Sequence, residues 1–313
     1  MRNCIPKTST RLVFAALLAA SCLFAADPFF LRRSLSDIQP QRDDLTANAK
    51  AASYKSVFGV GDKDVGKLQG VARYGELTVS PGGSSAVVSY PAEEQIYYVL
   101  EGSGTLLYDD QKVPVKQDDF MYLPINVKHG IANSTVAPVH VIVMGYKIPA
   151  GKQVAPTPKL MLSTSTDVQL QVLGGHGPTT QFKLLMGTTQ STRDRLSAAS
   201  EMSSLFIMEF SPGGTNIPHN HAREEEIYLL MRGSGDLVAG KTAEGQDARF
   251  PVKQGDVFFY GPGTQVGFYS AAKEGQPHDL ILAVRSSLPG AGGRGGRGGR
   301  GGRGGEAPPA PAQ

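Results

Sequence analysis

This sequence predicts an all-β protein built from a duplicated domain, and three observations carry the prediction. Short alternating or apolar runs such as "QIYYVL", "VHVIVMGY", "SLFIMEF", "EIYLLM" and "DVFFY" are punctuated by Gly, Pro, Asp and Ser, with few long helical patterns. Residues 80–104, "SPGGSSAVVSYPAEEQIYYVLEGSG", lie over residues 211–235, "SPGGTNIPHNHAREEEIYLLMRGSG", at a constant offset of 131 and without a gap. Six extra residues in the loop "VAGKTAEGQDAR" then move the offset to 137, at which "PVKQDDF" lies over "PVKQGDV". Self-similarity of that length marks a repeated domain.

Taken in chain order, residues 1–26 read as a signal peptide. Arg2, Lys7 and Arg11 make a positive start, residues 12–24 form an apolar run too short for a comfortable membrane span, and Ala25 and Ala26 are small enough for cleavage. Export, to the periplasm or outside the cell, is the expectation. Two readings of the processing stay open. One is simple cleavage near Ala25 or Ala26; the other is lipid anchoring through Cys22, whose "LLAASC" loosely resembles a lipobox but carries Ala19 where a larger aliphatic residue is usual. Cys4 is the only other cysteine, so cleavage after Ala25 leaves a chain whose stability cannot rest on disulfides.

Residues 27–67 mix Pro, charged and small side chains. The stretch "DIQPQRDDLTANAKAASYK" predicts a helix beginning after Pro40, in a packing arm without chemistry. Residues 68–150 hold the first repeat, and 151–288 a linker and the second. Residues 289–313 repeat Arg-Gly-Gly and end in Pro and Ala; with no large apolar side chain they are expected to stay disordered. They lack the interleaved aromatic residues that stack on bases and follow an export leader, so nucleic acid is not an expected partner. The net charge of +3 belongs to the two ends: without leader and tail the chain carries 24 basic and 27 acidic residues.

The second repeat carries the chemistry. Side chains two apart on a strand share a face, so His219 and His221 present two imidazoles to one interior while Asn220 points away. After the turn, Glu226 opens the next strand and adds a carboxylate oxygen. Two histidines and a carboxylate suit a first-row divalent metal with open coordination positions. Glu225 faces the side opposite Glu226 and Glu224 lies in the turn, so both read as solvated charges. Tyr228 shares the face of Glu226 and is the one candidate catalytic side chain; plain core packing is the competing reading.

Gly213, His219, His221, Glu226 and Gly233 resemble the first motif of the cupin superfamily, and "GDVFFYGPGTQVGFYS" resembles the second. With two copies, the resemblance covers most of residues 68–287, and the chain is similar to a secreted bicupin. The resemblance implies two tandem double-stranded β-helix, or jelly-roll, barrels, with one metal held by His219, His221 and Glu226. It also places Val266 where the family's last histidine ligand stands, Gly261 where its proline stands and Ser270 where its asparagine stands. Gln265, one residue from the vacant place, and His278 on the following strand are the candidates for a further ligand; a surface or hydrogen-bonded role is the other reading of His278. In the first copy Val88, Tyr90 and Gln95 replace the ligands, while His129 and Asn133 persist. His129 therefore reads as a structural remnant or as part of a metal-free pocket, which leaves one competent site per chain.

The expected cofactor is one divalent ion: Fe, Mn, Ni or Zn. No Gly-x-Ser-x-Gly, phosphate loop or His-Glu-x-x-His accompanies the site. The leading expectation is a metal-dependent enzyme of dioxygenase, decarboxylase or isomerase type, acting on a small oxygen-rich molecule such as a phenolic or organic acid. The alternative is a non-catalytic small-molecule-binding or structural bicupin. No transmembrane helix is expected in the mature chain, and a homodimer follows from analogy alone.

Overall fold

The structure, a computed structural model, describes residues 29–288; the expectations for leader, cysteines and tail fall outside them. Nine strands run through the first repeat and the arm before it: β1 (Phe30–Ser34), β2 (Lys50–Gly59), β3 (Val71–Ser84), β4 (Glu93–Glu101), β5 (Ser103–Tyr108), β6 (Gln111–Lys116), β7 (Asp119–Leu123), β8 (His129–Ala132) and β9 (Val139–Lys147). The linker and second repeat add β10 (Met161–Thr164), β11 (Thr180–Thr188), β12 (Leu196–Ala199), β13 (Met202–Phe210), β14 (Thr215–Asn220) and β15 (Glu224–Arg232). They continue with β16 (Ser234–Lys241), β17 (Asp247–Lys253), β18 (Asp256–Tyr260), β19 (Gln265–Ser270) and β20 (Asp279–Ser287).

In the first barrel the strands order β10-β7-β4-β9-β3-β8-β5-β6, with β2 paired to β3, because the 14-residue β3 runs through both halves of the curled sheet. In the second, the equivalent chain breaks into β13 and β14 at a turn where Gly213 adopts φ +67°. Two sheets result, β1-β18-β15-β20-β13-β11-β12 and β14-β19-β16-β17.

The unbroken apolar runs have a simple cause. Tyr97 and Val99 of β4 point into the first barrel, and Tyr228 and Leu230 of β15 into the second. Their neighbours Ile96, Tyr98, Ile227 and Leu229 point the other way, into a shared core between the barrels. A strand buried on both faces loses the polar half of its alternation.

Carboxylates on that shared face do structural work, which corrects the reading of Glu225 as a solvated charge. Glu225 is buried and accepts hydrogen bonds from the backbone N–H groups of Gln69 (2.6 Å), Gly70 (2.8 Å) and Val71 (3.0 Å) of the first barrel. Glu94, its equivalent, accepts from the N–H groups of Ser200 (2.7 Å), Glu201 (2.8 Å) and Met202 (2.8 Å) of the second. The period-2 argument put Glu225 on the right face; a single chain segment cannot reveal that another barrel covers it.

Each barrel also borrows an edge strand from outside its repeat. β1 pairs with β18 of the second barrel, and β10 with β7 of the first. The helix expected after Pro40 does not form. Asp44–Thr46 is one 3-10 turn, N-capped by Asp43, and the following residues become β2. Pairing with β3 and burial of Tyr54, Val57 and Phe58 override local propensity.

Candidate metal centre

β14 delivers His219, the residue just past its end is His221, and β15 delivers the carboxylate. His219 Nδ1–H donates to the Ile217 carbonyl (2.8 Å), which leaves Nε2 as the free lone pair, 3.1 Å from His221 Nε2. The two rings meet edge to face, 4.8 Å between centroids. Glu226 Oε2 lies 3.5 Å from His221 Nε2. Glu224 joins them, contrary to its expected solvation: its Oε2 is 3.3 Å from His221 Nδ1, and its other oxygen accepts from the Ser203 hydroxyl.

Arg285, directly across from Glu226 on β20, lies 3.6 Å from Glu226 Oε1 and 3.5 Å from Glu224 Oε2. Its guanidinium sits 5.0 Å from the Phe206 ring centroid. Glu226 Oε2 and Arg285 Nε are buried and have no hydrogen-bond partner among the described residues. Burial pushes the Glu226 carboxyl above its ordinary range, against the fields of Arg285 and His221. Burial also raises Glu224, but the hydrogen bond to His221 and the charge of Arg285 outweigh it and hold that carboxyl at about 2. Desolvation keeps His219 below its usual value, against the hydrogen bond to Ile217, and so favours the uncharged ring.

The donor set fits a first-row divalent ion. At metal–nitrogen bonds of about 2.0–2.1 Å, two imidazoles on one ion stand roughly 3 Å apart, the spacing of the two Nε2 atoms. The orphaned Glu226 oxygen supplies the carboxylate. The set is not drawn fully together, since no group of three or more ligand-type side chains stands at metal-holding distance among the described residues.

The further-ligand candidates lie elsewhere. Val266 pairs with His219 across β14 and β19 and shares its inward face, so Gln265, paired with Asn220, takes the outer face, where its amide donates to Asp247 (3.0 Å). His278 precedes β20 and pairs with Glu209 (2.8 Å), seven residues from Arg285, or about 23 Å along an extended chain. Tyr228 is buried with its hydroxyl 3.4 Å from Asn216 Nδ2 and its ring edge to face with Tyr260, 5.3 Å away. Burial holds both phenols well above their ordinary range.

Two residues of the site, His176 and Arg285, lie outside the sequence motifs. His176, alone among linker glycines, donates from Nδ1 to Asn216 Oδ1 (2.7 Å) and lies edge-on to His219, 5.5 Å between centroids. Arg285 could have been found as the charge that interrupts the apolar strand "DLILAVRSS". In the first barrel, His129 is buried, its Nδ1–H donating to Val127 (3.0 Å) and its Nε2 3.0 Å from the Gln95 amide.

Comparison with known proteins places these barrels. The Cupin domain family model matches residues 75–145, and the Cupin family model matches residues 188–292. An uncharacterized protein of Methanocaldococcus jannaschii is 32% identical over 71 residues, 23% of this chain and 57% of that one. Germin-like protein subfamily 2 member 4 of Arabidopsis thaliana is 33% identical over 87 residues, 28% of this chain and 39% of that one. The chain thus spans under two thirds of these relatives. Among solved structures, a putative glyoxylate induced protein from Pseudomonas aeruginosa aligns with a TM-score of 0.64 at 14% identity, covering 90% of this chain and 93% of that one. The formate complex of Lactobacillus farciminis oxalate decarboxylase aligns with a TM-score of 0.59 at 12% identity, covering 82% and 88%. No helix among the described residues is long and apolar enough to cross a membrane.

Proposed function

Because this chain belongs to the cupin superfamily as a tandem bicupin, we propose that its second barrel holds one divalent metal ion and is a metal-dependent enzyme for a small oxygen-rich acid. The observation that carries this reading is the 3.1 Å approach of two imidazole nitrogens beside the orphaned Glu226 oxygen. His219, His221 and Glu226 are the residues that would hold the ion, whether Fe, Mn, Ni or Zn. When bound, it supplies Lewis acidity or, if redox-active, electron transfer.

The chain's own groups set the rest of the chemistry. The Ile217 carbonyl fixes the orientation and tautomer of His219, as an outer-shell partner does. Arg285 offers a buried N–H beside the carboxylates, suited to an anionic substrate group. Tyr228 and Tyr260 remain protonated and can donate to a substrate oxygen. The similarity to an oxalate decarboxylase bound to formate supports a small carboxylic acid, and the leader reading supports action outside the cytoplasm.

Metal analysis of the purified chain beside His219→Ala tests the proposal. About one equivalent of first-row metal in the wild type and a clear loss in the variant are expected; equal, negligible metal in both overturns it. The second reading, a non-catalytic binder, is favoured by Val266 in the place of a fourth ligand. A turnover screen over phenols, oxalate-like acids and uronic sugars separates the two, since binding without product supports the binder.

A further inference from the structure

The first barrel lacks the metal-type ligands but, like the second, holds a cation in its inward row. Register places Arg73, Gly145, Gln95 and Leu123 in one inward row. The corresponding row of the second barrel is Ser204, Arg285, Glu226 and Tyr260. Each row thus holds one guanidinium, on neighbouring strands, with a small residue opposite. Gly145 is required: a Cβ there would strike the Glu93 carboxylate and the Arg73 side chain. Arg73 is buried, its Nε donating to Glu93 Oε1 (2.8 Å) and its guanidinium 4.6 Å from the Tyr90 ring centroid.

The arm brings two more carboxylates to Arg73: Asp43, whose Oδ1 accepts from NH1 at 3.3 Å, and Asp44. Asp44 receives the fork, NH1 to Oδ1 at 2.6 Å and NH2 to Oδ2 at 3.1 Å, although its side chain is 46% exposed against 4% for Arg73. The next residue, Leu45, is wholly buried in the interior cluster with Tyr54 and Tyr97. Asp44 and Leu45 therefore enter the barrel mouth as a carboxylate followed by an apolar group. One row further in, about 7 Å along the strands, the Tyr54 hydroxyl lies over Gly75, and Tyr97 faces inward from the same row. Both hydroxyls are fully buried and lack a hydrogen-bond partner among the described residues, which marks a place for a polar group. The arm of the second barrel enters equivalently: Gln171 bridges Phe182 as Gln41 bridges Tyr54, and the arm brings His176 against His219.

We propose that the first barrel is a metal-free binding site for a small carboxylic acid with an apolar body, occupied in this structure by the chain's own Asp44 and Leu45. The acid's carboxylate takes the Arg73 fork, its body takes the place of Leu45, and a hydroxyl on that body reaches Tyr54 or Tyr97. Binding releases residues 43–47 from the mouth.

Calorimetric titration of the full chain with benzoate and 4-hydroxybenzoate tests this, with benzamide as the uncharged control. All titrations use the His219→Ala background, so metal in the second barrel plays no part and the two proposals fail separately. Asp44→Asn, which keeps the shape of the arm and removes the charge that holds the fork while Asp43 and Glu93 stay in place, is expected to tighten benzoate binding at least fivefold. Adding Arg73→Met to it is expected to weaken binding at least tenfold, with circular dichroism melts showing that each variant folds. In the unmutated chain, saturating benzoate is expected to speed tryptic cleavage after Arg42 at least fivefold. Equal affinity for benzamide, indifference to Arg73, no binding by Asp44→Asn at millimolar benzoate, or an unchanged cleavage rate overturns the proposal.

Discussion

Val266 faces His219 across β14 and β19, and the equivalent pair in the first barrel, Val88 facing His129, is the same pair reversed. Each barrel thus has one histidine and one valine in this facing pair. The exchange leaves the second barrel two imidazoles and a carboxylate, and the first a lone buried ring. Val266→His restores a donor on the inward face beside His219. Chelator competition is expected to show metal bound at least about tenfold more tightly, since a full set of protein ligands closes the site; unchanged affinity would place residue 266 off the metal.

Removing either interface carboxylate exposes the dependence of the two barrels on each other. Glu225→Ala strands three N–H groups, two of them in buried bonds, and is expected to cost about 3–5 kcal/mol in denaturant unfolding. Glu94→Ala should cost a similar amount, because it also strands the Tyr122 hydroxyl, which donates to Glu94. A loss below about 1 kcal/mol would mean that the backbone there relaxes to other partners.

Burial, aided by the charge of Arg73, lowers His129 from 6.5 to about 4. Above pH 6.5 the ring is neutral in folded and unfolded chains, and it adds no pH dependence. From 6.5 down to about 4 the unfolded chain takes up a proton that the folded chain refuses, so stability falls as pH falls, by about 3 kcal/mol across the window. Urea unfolding at several pH values should show a shallower fall for His129→Gln than for the wild type.

Gly233 sits at φ +95°, and a Cβ there would collide with the Asp279 carboxylate, which accepts from Ser270 Oγ at 2.5 Å. Gly233→Ala is expected to lose at least about 2 kcal/mol, from backbone strain and the displaced acid. A thermal melt checks it, and an unchanged midpoint would refute the steric argument.

Much of this architecture was legible because it is local. Strand punctuation, the 131-residue offset and the alternation that puts His219 on one face all follow from backbone period and spacing. The place of Val266 came from aligning the second motif, whereas the outward turn of Gln265, a candidate ligand in the sequence, is set only by its register with Asn220. Arg285 and His176 stayed hidden because nothing in their own segments says which interior they enter. Glu224 and Glu225 were misread for the same reason: a charge beside a turn looks solvated until another strand or another barrel covers it.

By itself, then, the chain determined a duplicated β fold and the placing of His219 and His221 on one face, which rest on repeat spacing and the period of an extended backbone, while the family resemblance alone marked Val266. Only the tertiary structure decided that the barrels share a core through Glu94 and Glu225, that β1 edges the distant barrel and that Asp44 reaches Arg73. Those contacts join residues dozens to hundreds of positions apart, and burial and charge pairing in space, rather than any local pattern, select them.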